Sequence, residues 1–212
     1  MEDLKCKKCR RAAQKLFLKG DRCNSAKCSM VRKPYAPGPF GKSKGKHPKR
    51  GLSEFGTQMR EKQKVKFNYG LREKQFANYI KEASKKTKGD KSSELFGLLE
   101  LRLDNAAYRA GFADSRTLAN QIVSHGHILV NKKKVDIPSL RLKVGDKITI
   151  RPQSASKGIF KDIDGKLKKY KTPVWIKLDP DKREAEIAGK PILSDEPALM
   201  GSLNLVIEFY SR

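Results

Sequence analysis

The sequence predicts an α+β fold: a metal-clipped N-terminal arm, a helical domain, and two helices packed on a small, mainly antiparallel sheet. Three observations predict it. All four cysteines fall within the first 28 residues. Apolar residues recur at helical spacing between about residues 52 and 126. Beyond 127 they alternate in short runs separated by turn residues. The expected divisions are 1–51 (arm and linker), 52–93 (helical domain, with 200–212 as a candidate addition) and 94–199 (helix–strand domain with C-terminal hairpins).

The arm contains CKKCRRAAQKLFLKGDRCNSAKC, in which Cys6 and Cys9 form a C-x2-C pair and Cys23 and Cys28 a C-x4-C pair. Two disulfides need an oxidising compartment. The leading MEDLKCKKC has no apolar run of a secretory signal, and Glu2 and Asp3 argue against a transit peptide. The segment has too few apolar residues to bury four thiols in a core of its own. Metal remains: two close thiolate pairs complete a tetrahedron around Zn²⁺. An iron–sulfur cluster fits the same residues, and the spacing does not decide between them. Lys7, Lys8, Arg10, Arg11, Arg22 and Lys27 surround the thiols, which predicts lowered thiol pKa values. A closed four-ligand site keeps no open position, so no metal catalysis is expected.

Residues 30–51, MVRKPYAPGPFGKSKGKHPKRG, mix proline and glycine with cations and predict extended chain without a core. Arg32, Lys33, Tyr35, Lys42, Lys44, Lys46, Lys49 and Arg50 are candidate RNA contacts that order on binding; a solvated linker is the alternative. A helix follows Ser53 as N-cap and carries Arg60, Lys62 and Lys64, which with Lys7, Lys8, Arg10, Arg11 and Arg72 are further candidate RNA contacts. After Arg72, the residues Phe76, Tyr79, Ile80 and Ala83 form one apolar stripe of a second helix. KKTKGDKSS, 85–93, marks a polar break.

ELFGLLELRLDNAAYRAG predicts one helix burying Leu95, Leu98, Leu99, Leu103, Ala106, Ala107 and Ala110, stopped by Gly111. Another begins at Asp114 or Ser115, buries Leu118, Ile122 and Val123, and closes at Gly126. HILVN and VGDKITIRP alternate as strands, with turns at Asn131-Lys132-Lys133 and Gly145-Asp146. Hairpins are expected around Asp164-Gly165 and around Asp179-Pro180-Asp181, and SLNLVIEFYSR reads as a last strand.

Forty-eight basic residues against 23 acidic leave +25, with a pI near 10.0. Residues 1–50 hold 16 basic and 3 acidic groups, so the arm carries about half the surplus. A polyanion is the implied partner, nucleic acid first. An anionic membrane surface calls for a long amphipathic basic helix that the arm lacks, and no apolar run is long enough to span a bilayer. Three histidines, His47, His125 and His127, are too sparse to suggest catalysis, and nothing implies a small-molecule substrate.

The stretch from RLDNAAYRAG through HGHILVN, VDIPS and VGDKITIRP, within 97–151, resembles the alpha-L RNA-binding domain. Its two helices and hairpin can present Arg102, Arg109, Arg116, His125, Lys132 and Lys133 on one surface suited to phosphates. The domain also occurs in pseudouridine synthases, tyrosyl-tRNA synthetases and small heat-shock RNA binders. The flanks CKKC…CNSAKC, KPYAPG, LSEFGTQMREKQKVKFNYGLREKQFANY and IEFYSR are similar to the bacterial small-subunit ribosomal protein S four family, over nearly the whole chain. One departure stands out: Pro37-Gly38-Pro39-Phe40-Gly41 replaces the family's common Pro-Gly-Gln-His-Gly.

The resemblance implies a non-enzymatic cytoplasmic protein that binds 16S-type rRNA early in assembly. It implies a position beside ribosomal protein S five and the path by which mRNA enters, with roles in translational accuracy and repression of its own mRNA. Two alternatives compete. A pseudouridine synthase needs a catalytic aspartate in a separate large domain, for which no residues remain. A zinc-dependent DNA-binding regulator needs a recognition helix projecting from the cysteine segment, which offers at most one short helix.

Overall fold

The structure, a computed structural model, describes residues 4–42, 51–85 and 89–211. In chain order the helices are α1 (Leu4–Ala12), α2 (Asp21–Asn24), α3 (Ser29–Arg32), α4 (Glu54–Asn68), α5 (Glu73–Lys85), α6 (Lys91–Glu100), α7 (Leu103–Arg109), α8 (Arg116–Ser124), α9 (Ile163–Lys169) and α10 (Pro197–Ser211). The strands are β1 (Ile128–Val130), β2 (Lys133–Val135), β3 (Lys147–Ile150), β4 (Ile176–Asp179) and β5 (Glu184–Ile187). The chain divides into two compact units, Met1–Thr87 with Glu196–Arg212, and Lys88–Asp195.

In the first unit α4 starts where Ser53 Oγ accepts the Gly56 N–H at 3.2 Å, an N-cap contributing about 1 kcal/mol. α5 buries the expected Phe76, Tyr79, Ile80 and Ala83. Residues 202–211 of the terminal SLNLVIEFYSR are helical rather than a strand: α10 buries Leu203 and Val206, three apart, and packs along α4. Ser202 Oγ donates to Glu61, and Phe209 lies 5.5 Å from Phe55 between ring centroids. The apolar run is legible in the sequence, but its buried residues recur at a helical spacing and not at the alternation of a strand.

The arm is not coreless. Cys9, Ala12, Leu16 and Leu18 form a buried cluster against which Met30 and Phe67 pack. Residues 29–42 are likewise not simply extended, since α3 and a 3-10 turn at Pro39–Lys42 interrupt them. Left-handed backbone at Ala13 and Phe17 (φ 55° and 48°) turns the chain back on α1, which lets a few apolar side chains meet.

The second unit is an antiparallel five-stranded sheet in the order β2-β1-β3-β5-β4. Ile128, Ile148, Ala185 and Ile187 share its buried face with Leu103, Ala106, Ala107, Ile122 and Val123 from α7 and α8. α8 is capped by Ser115, whose Oγ accepts the Leu118 N–H, and ends before Gly126 at φ 68°. Ala119 takes the buried place expected of Leu118, which is only partly covered. The hairpin at Asp179–Asp181 forms as β4–β5.

Two expectations fail here for identifiable reasons. The predicted single helix over 95–110 breaks at Leu101-Arg102, because those residues pair with the segment after β2. Leu103 N–H donates to Leu140 O, Leu142 N–H to Leu101 O, and Arg102 bridges Arg141. Leu98 is consequently only half-buried. The expected hairpin at Asp164-Gly165 is α9, whose Ile163 and Leu167, four apart, join the core beside Phe160.

Candidate nucleic-acid interface and thiol cavity

The sequence-predicted cations separate into those the fold uses internally and those it leaves outside. Arg10 is buried: Nε donates to Tyr35 O at 2.8 Å, Nη2 to Ala36 O at 3.3 Å, and the guanidinium lies 4.7 Å from the Tyr35 ring centroid. Arg10 and Tyr35 therefore hold the arm together. Lys62 is buried too, donating to Glu73 at 2.6 Å with its Nζ 4.8 Å from the Phe209 ring centroid. Lys64 pairs with Glu61 one turn away.

Of the three predicted arginines of the second unit, Arg109 and Arg116 gather on Glu100, a carboxylate with no solvent exposure. Arg109 donates to both Glu100 oxygens (2.9 and 3.1 Å), and Asn105 Nδ2 donates to one at 2.9 Å. Arg116 donates to Asn105 Oδ1 at 2.7 Å and stacks 4.6 Å from Tyr108. Arg102, 4% exposed, grips Asp104 through Nε and Nη2 at 3.0 and 2.7 Å. A guanidinium buried and engaged in this way positions α7 against α8; a phosphate would reach Arg102 only by opening the fold.

The exposed set is different. His125, Lys132 and Lys133 lie on the surface of the second unit, joined by Lys134, Arg141 and Lys143, which the sequence reading did not single out. Asn131 and Lys132 both have positive φ (50° and 66°), the geometry of a tight hairpin turn between β1 and β2. Asn131 pins that turn, donating from Nδ2 to Asp146 at 2.8 Å and accepting the Lys147 N–H at 3.0 Å. His127 faces inward, its Nδ1 2.9 Å from Ser154 Oγ, and burial with the nearby Lys157, His125 and Arg151 keeps its pKa low. In the first unit Lys7, Lys8, Arg11, Arg32, Lys33, Arg60 and Arg72 are exposed. Lys44, Lys46, Lys49 and Arg50 lie outside the described residues, as does the Lys42 side chain.

Leu4, Lys7, Lys8 and Arg11 fall at i, i+3, i+4 and i+7 on one face of α1. With Pro37 and Phe67 they line a groove of about 540 Å³. The Leu–Lys–Lys–Arg stripe is legible at helical spacing in the sequence, whereas no local signal marks Phe67, which comes from α4.

Cys6 and Cys9, one turn apart on α1, Cys23 on α2 and Cys28, the N-cap of α3, line a second, small cavity of about 20 Å³. All four are free thiols. Among the described residues no group of three or more Cys, His, Asp or Glu side chains is drawn together into a metal site. By donor chemistry four thiols suit a four-thiolate ion, and three elements bring all four cysteines to the lining of one space about the size of a single ion or water. The Cys9 thiol runs against the expected lowering. Burial raises its pKa, the Leu16 backbone opposes this, and Cys23, Cys6 and Cys28 raise it further. A divalent cation in this cavity would oppose the burial and the neighbouring thiols that raise Cys9.

A large positive surplus, with exposed cations on a helix face and a hairpin tip, defines a basic protein of the nucleic-acid-binding class. A family model described as S4 domain matches residues 101–148, and one described as Ribosomal protein S4/S9 N-terminal domain matches 2–100. Small ribosomal subunit protein uS4 of Syntrophomonas wolfei is 43% identical over 211 residues, covering 99% of this chain and 98% of that protein. Its Thermus thermophilus counterpart is 44% identical over 207 residues, covering 98% and 96%. Small ribosomal subunit protein uS4A of Clostridium acetobutylicum is 45% identical with the same coverage. The chain belongs to the uS4 family of small ribosomal subunit proteins, a family of structural ribosomal proteins.

Proposed function

We propose that this protein is a structural constituent of the small ribosomal subunit in the cytoplasm, binding 16S-type rRNA directly and early in assembly. The observation that carries this reading is full-length similarity to uS4 proteins in a chain of charge +25. Folded rRNA is held largely through backbone, shape and 2′-OH contacts, which suits many exposed cations and few base-reading groups. The contacting residues are taken from the exposed set: Lys7, Lys8, Arg11, Arg32, Lys33, Arg60 and Arg72 in the first unit, His125, Lys132 and Lys133 in the second. The same reading places the protein beside ribosomal protein S five and the incoming mRNA, with a part in translational accuracy, and assigns it no catalysis.

Cys6, Cys9, Cys23 and Cys28 would hold Zn²⁺, with an iron–sulfur cluster as the competing occupant. Either supplies a fixed joint between α1, α2 and α3 rather than a reaction.

Affinity for a 5′-domain small-subunit rRNA fragment, compared with tRNA and duplex DNA across a salt series, tests the proposal. The expected result is selective binding of the rRNA with a steep salt slope, since each phosphate contact releases counterions. Equal affinity for all three polyanions would leave only a polycation.

A further inference from the structure

We propose that the groove on the outer face of α1 is a subsite for one unpaired nucleotide, with its base on Phe67 and its flanking phosphates on Lys7, Lys8 and Arg11. The inference rests on the rRNA reading above and adds to it a base contact that phosphate binding alone does not require.

The groove has the composition such a ligand needs. Leu4, Pro37 and the half-buried Phe67 supply an apolar floor, and Lys7, Lys8 and Arg11 supply the rim. No carboxylate lines it among the described residues. Its volume of about 540 Å³ falls within the roughly 300–1,000 Å³ of small-ligand sites. A duplex presents phosphates but no free ring, so an apolar floor beneath a cationic rim fits an extruded or single-stranded base better than a helix.

The walls are fixed. α1 is held from behind by the cluster of Cys9, Ala12, Leu16 and Leu18. Pro37 is held by Arg10, which donates to the two preceding carbonyls, Tyr35 O and Ala36 O. Gly38, at φ 113°, then turns the chain away in a conformation that side-chain-bearing residues rarely adopt. The Phe67 ring is already matched to positive charge, with Lys8 Nζ 4.8 Å and Lys66 Nζ 5.3 Å from its centroid. Lys66 also donates to Glu73 at 2.6 Å and is held there. Lys8 has no carboxylate partner among the described residues, so it is the cation that moves from ring to phosphate when a base arrives.

The test uses the full chain and two substitutions at one position. Phe67→Leu keeps an apolar contact with the arm cluster and removes the stacking face. It is expected to weaken binding of the 5′-domain rRNA fragment about tenfold, the usual scale of one base–aromatic stack, while affinity for a duplex RNA of equal length stays within twofold. Phe67→Trp is expected to bind the fragment as the parent does and to show indole quenching with the fragment but not with the duplex. Fragment binding that survives Phe67→Leu unchanged, or a bound Phe67→Trp protein without quenching, overturns the subsite and leaves the rRNA reading standing. Loss of selectivity for the fragment in the parent protein overturns the rRNA reading itself.

Discussion

Single residues show where this chain trades stability for charge and where it uses charge to fold. Lys132 occupies left-handed backbone at φ 66°, a position where glycine or asparagine is the comfortable choice. A lysine kept there in spite of the strain puts an ammonium at the tip of the β1–β2 turn. Lys132→Gly is expected to stabilise the second unit by about 1 kcal/mol in urea unfolding while lowering the salt slope of rRNA binding by about one. Glu100 is the opposite case. Its buried carboxylate answers Arg109, Asn105 and Arg116, so Glu100→Gln strands positive charge in the core. A loss of about 3–5 kcal/mol in unfolding free energy is expected, the range for breaking a buried pair from one side. A loss under about 1 kcal/mol would mean that water reaches the network.

At the scale of elements, α4, α5 and α10 are joined by a single carboxylate. Glu73 accepts from Lys62 (2.6 Å), Lys66 (2.6 Å) and Tyr210 (2.8 Å). Burial alone would raise its pKa, but these three hydrogen bonds outweigh it and bring it from the ordinary 4.5 to about 2. A carboxylate lowered on folding stabilises above its unfolded value, and that stabilisation drains away as pH falls from about 4.5 toward 2. Packing of α10 on its neighbours should therefore weaken over that window, read by hydrogen exchange along 197–211. Tyr210→Phe, which removes one of the three donors, should move the midpoint upward. Much of this was legible in advance: the caps at Ser53 and Ser115, the stripe on α5, and the alternation at Ile128/Val130 and Ile148/Ile150 each follow from local spacing. What was not legible depended on distant partners. Nothing near SLNLVIEFYSR announces that α4 lies alongside it, so an apolar run flanked by polar residues passed for a strand. The break between α6 and α7 is set by residues 140–142, some forty positions later. For the same reason the spacing of Arg102, Arg109 and Arg116 suggested a shared outer face, whereas Glu100 and Asp104 engage them from within.

Across the whole chain, the arm's problem is one of charge density. It holds 16 cations and 3 anions in 50 residues, and its helices are short: nine residues in α1, four each in α2 and α3. Isolated helices of that length are marginal in water, and like charges drive them apart. The small cluster around Cys9 and Leu16 opposes this with only a few buried side chains. An ion shared by Cys6, Cys9, Cys23 and Cys28 would add its binding free energy directly to that cluster, since no such site exists in the unfolded chain. It would also fix the groove face of α1, because Leu4, Lys7, Lys8 and Arg11 ride on the same short helix as two of the thiols. Cys9→Ser, or removal of the ion by a chelator, should thus speed amide exchange throughout 4–42 and weaken rRNA-fragment binding. The Lys88–Asp195 unit, whose core contains no arm residue, should exchange as before. Should metal analysis of the purified protein find neither zinc nor iron, and Cys9→Ser leave exchange in the arm unchanged, the apolar cluster and the Arg10–Tyr35 contact alone would account for its order.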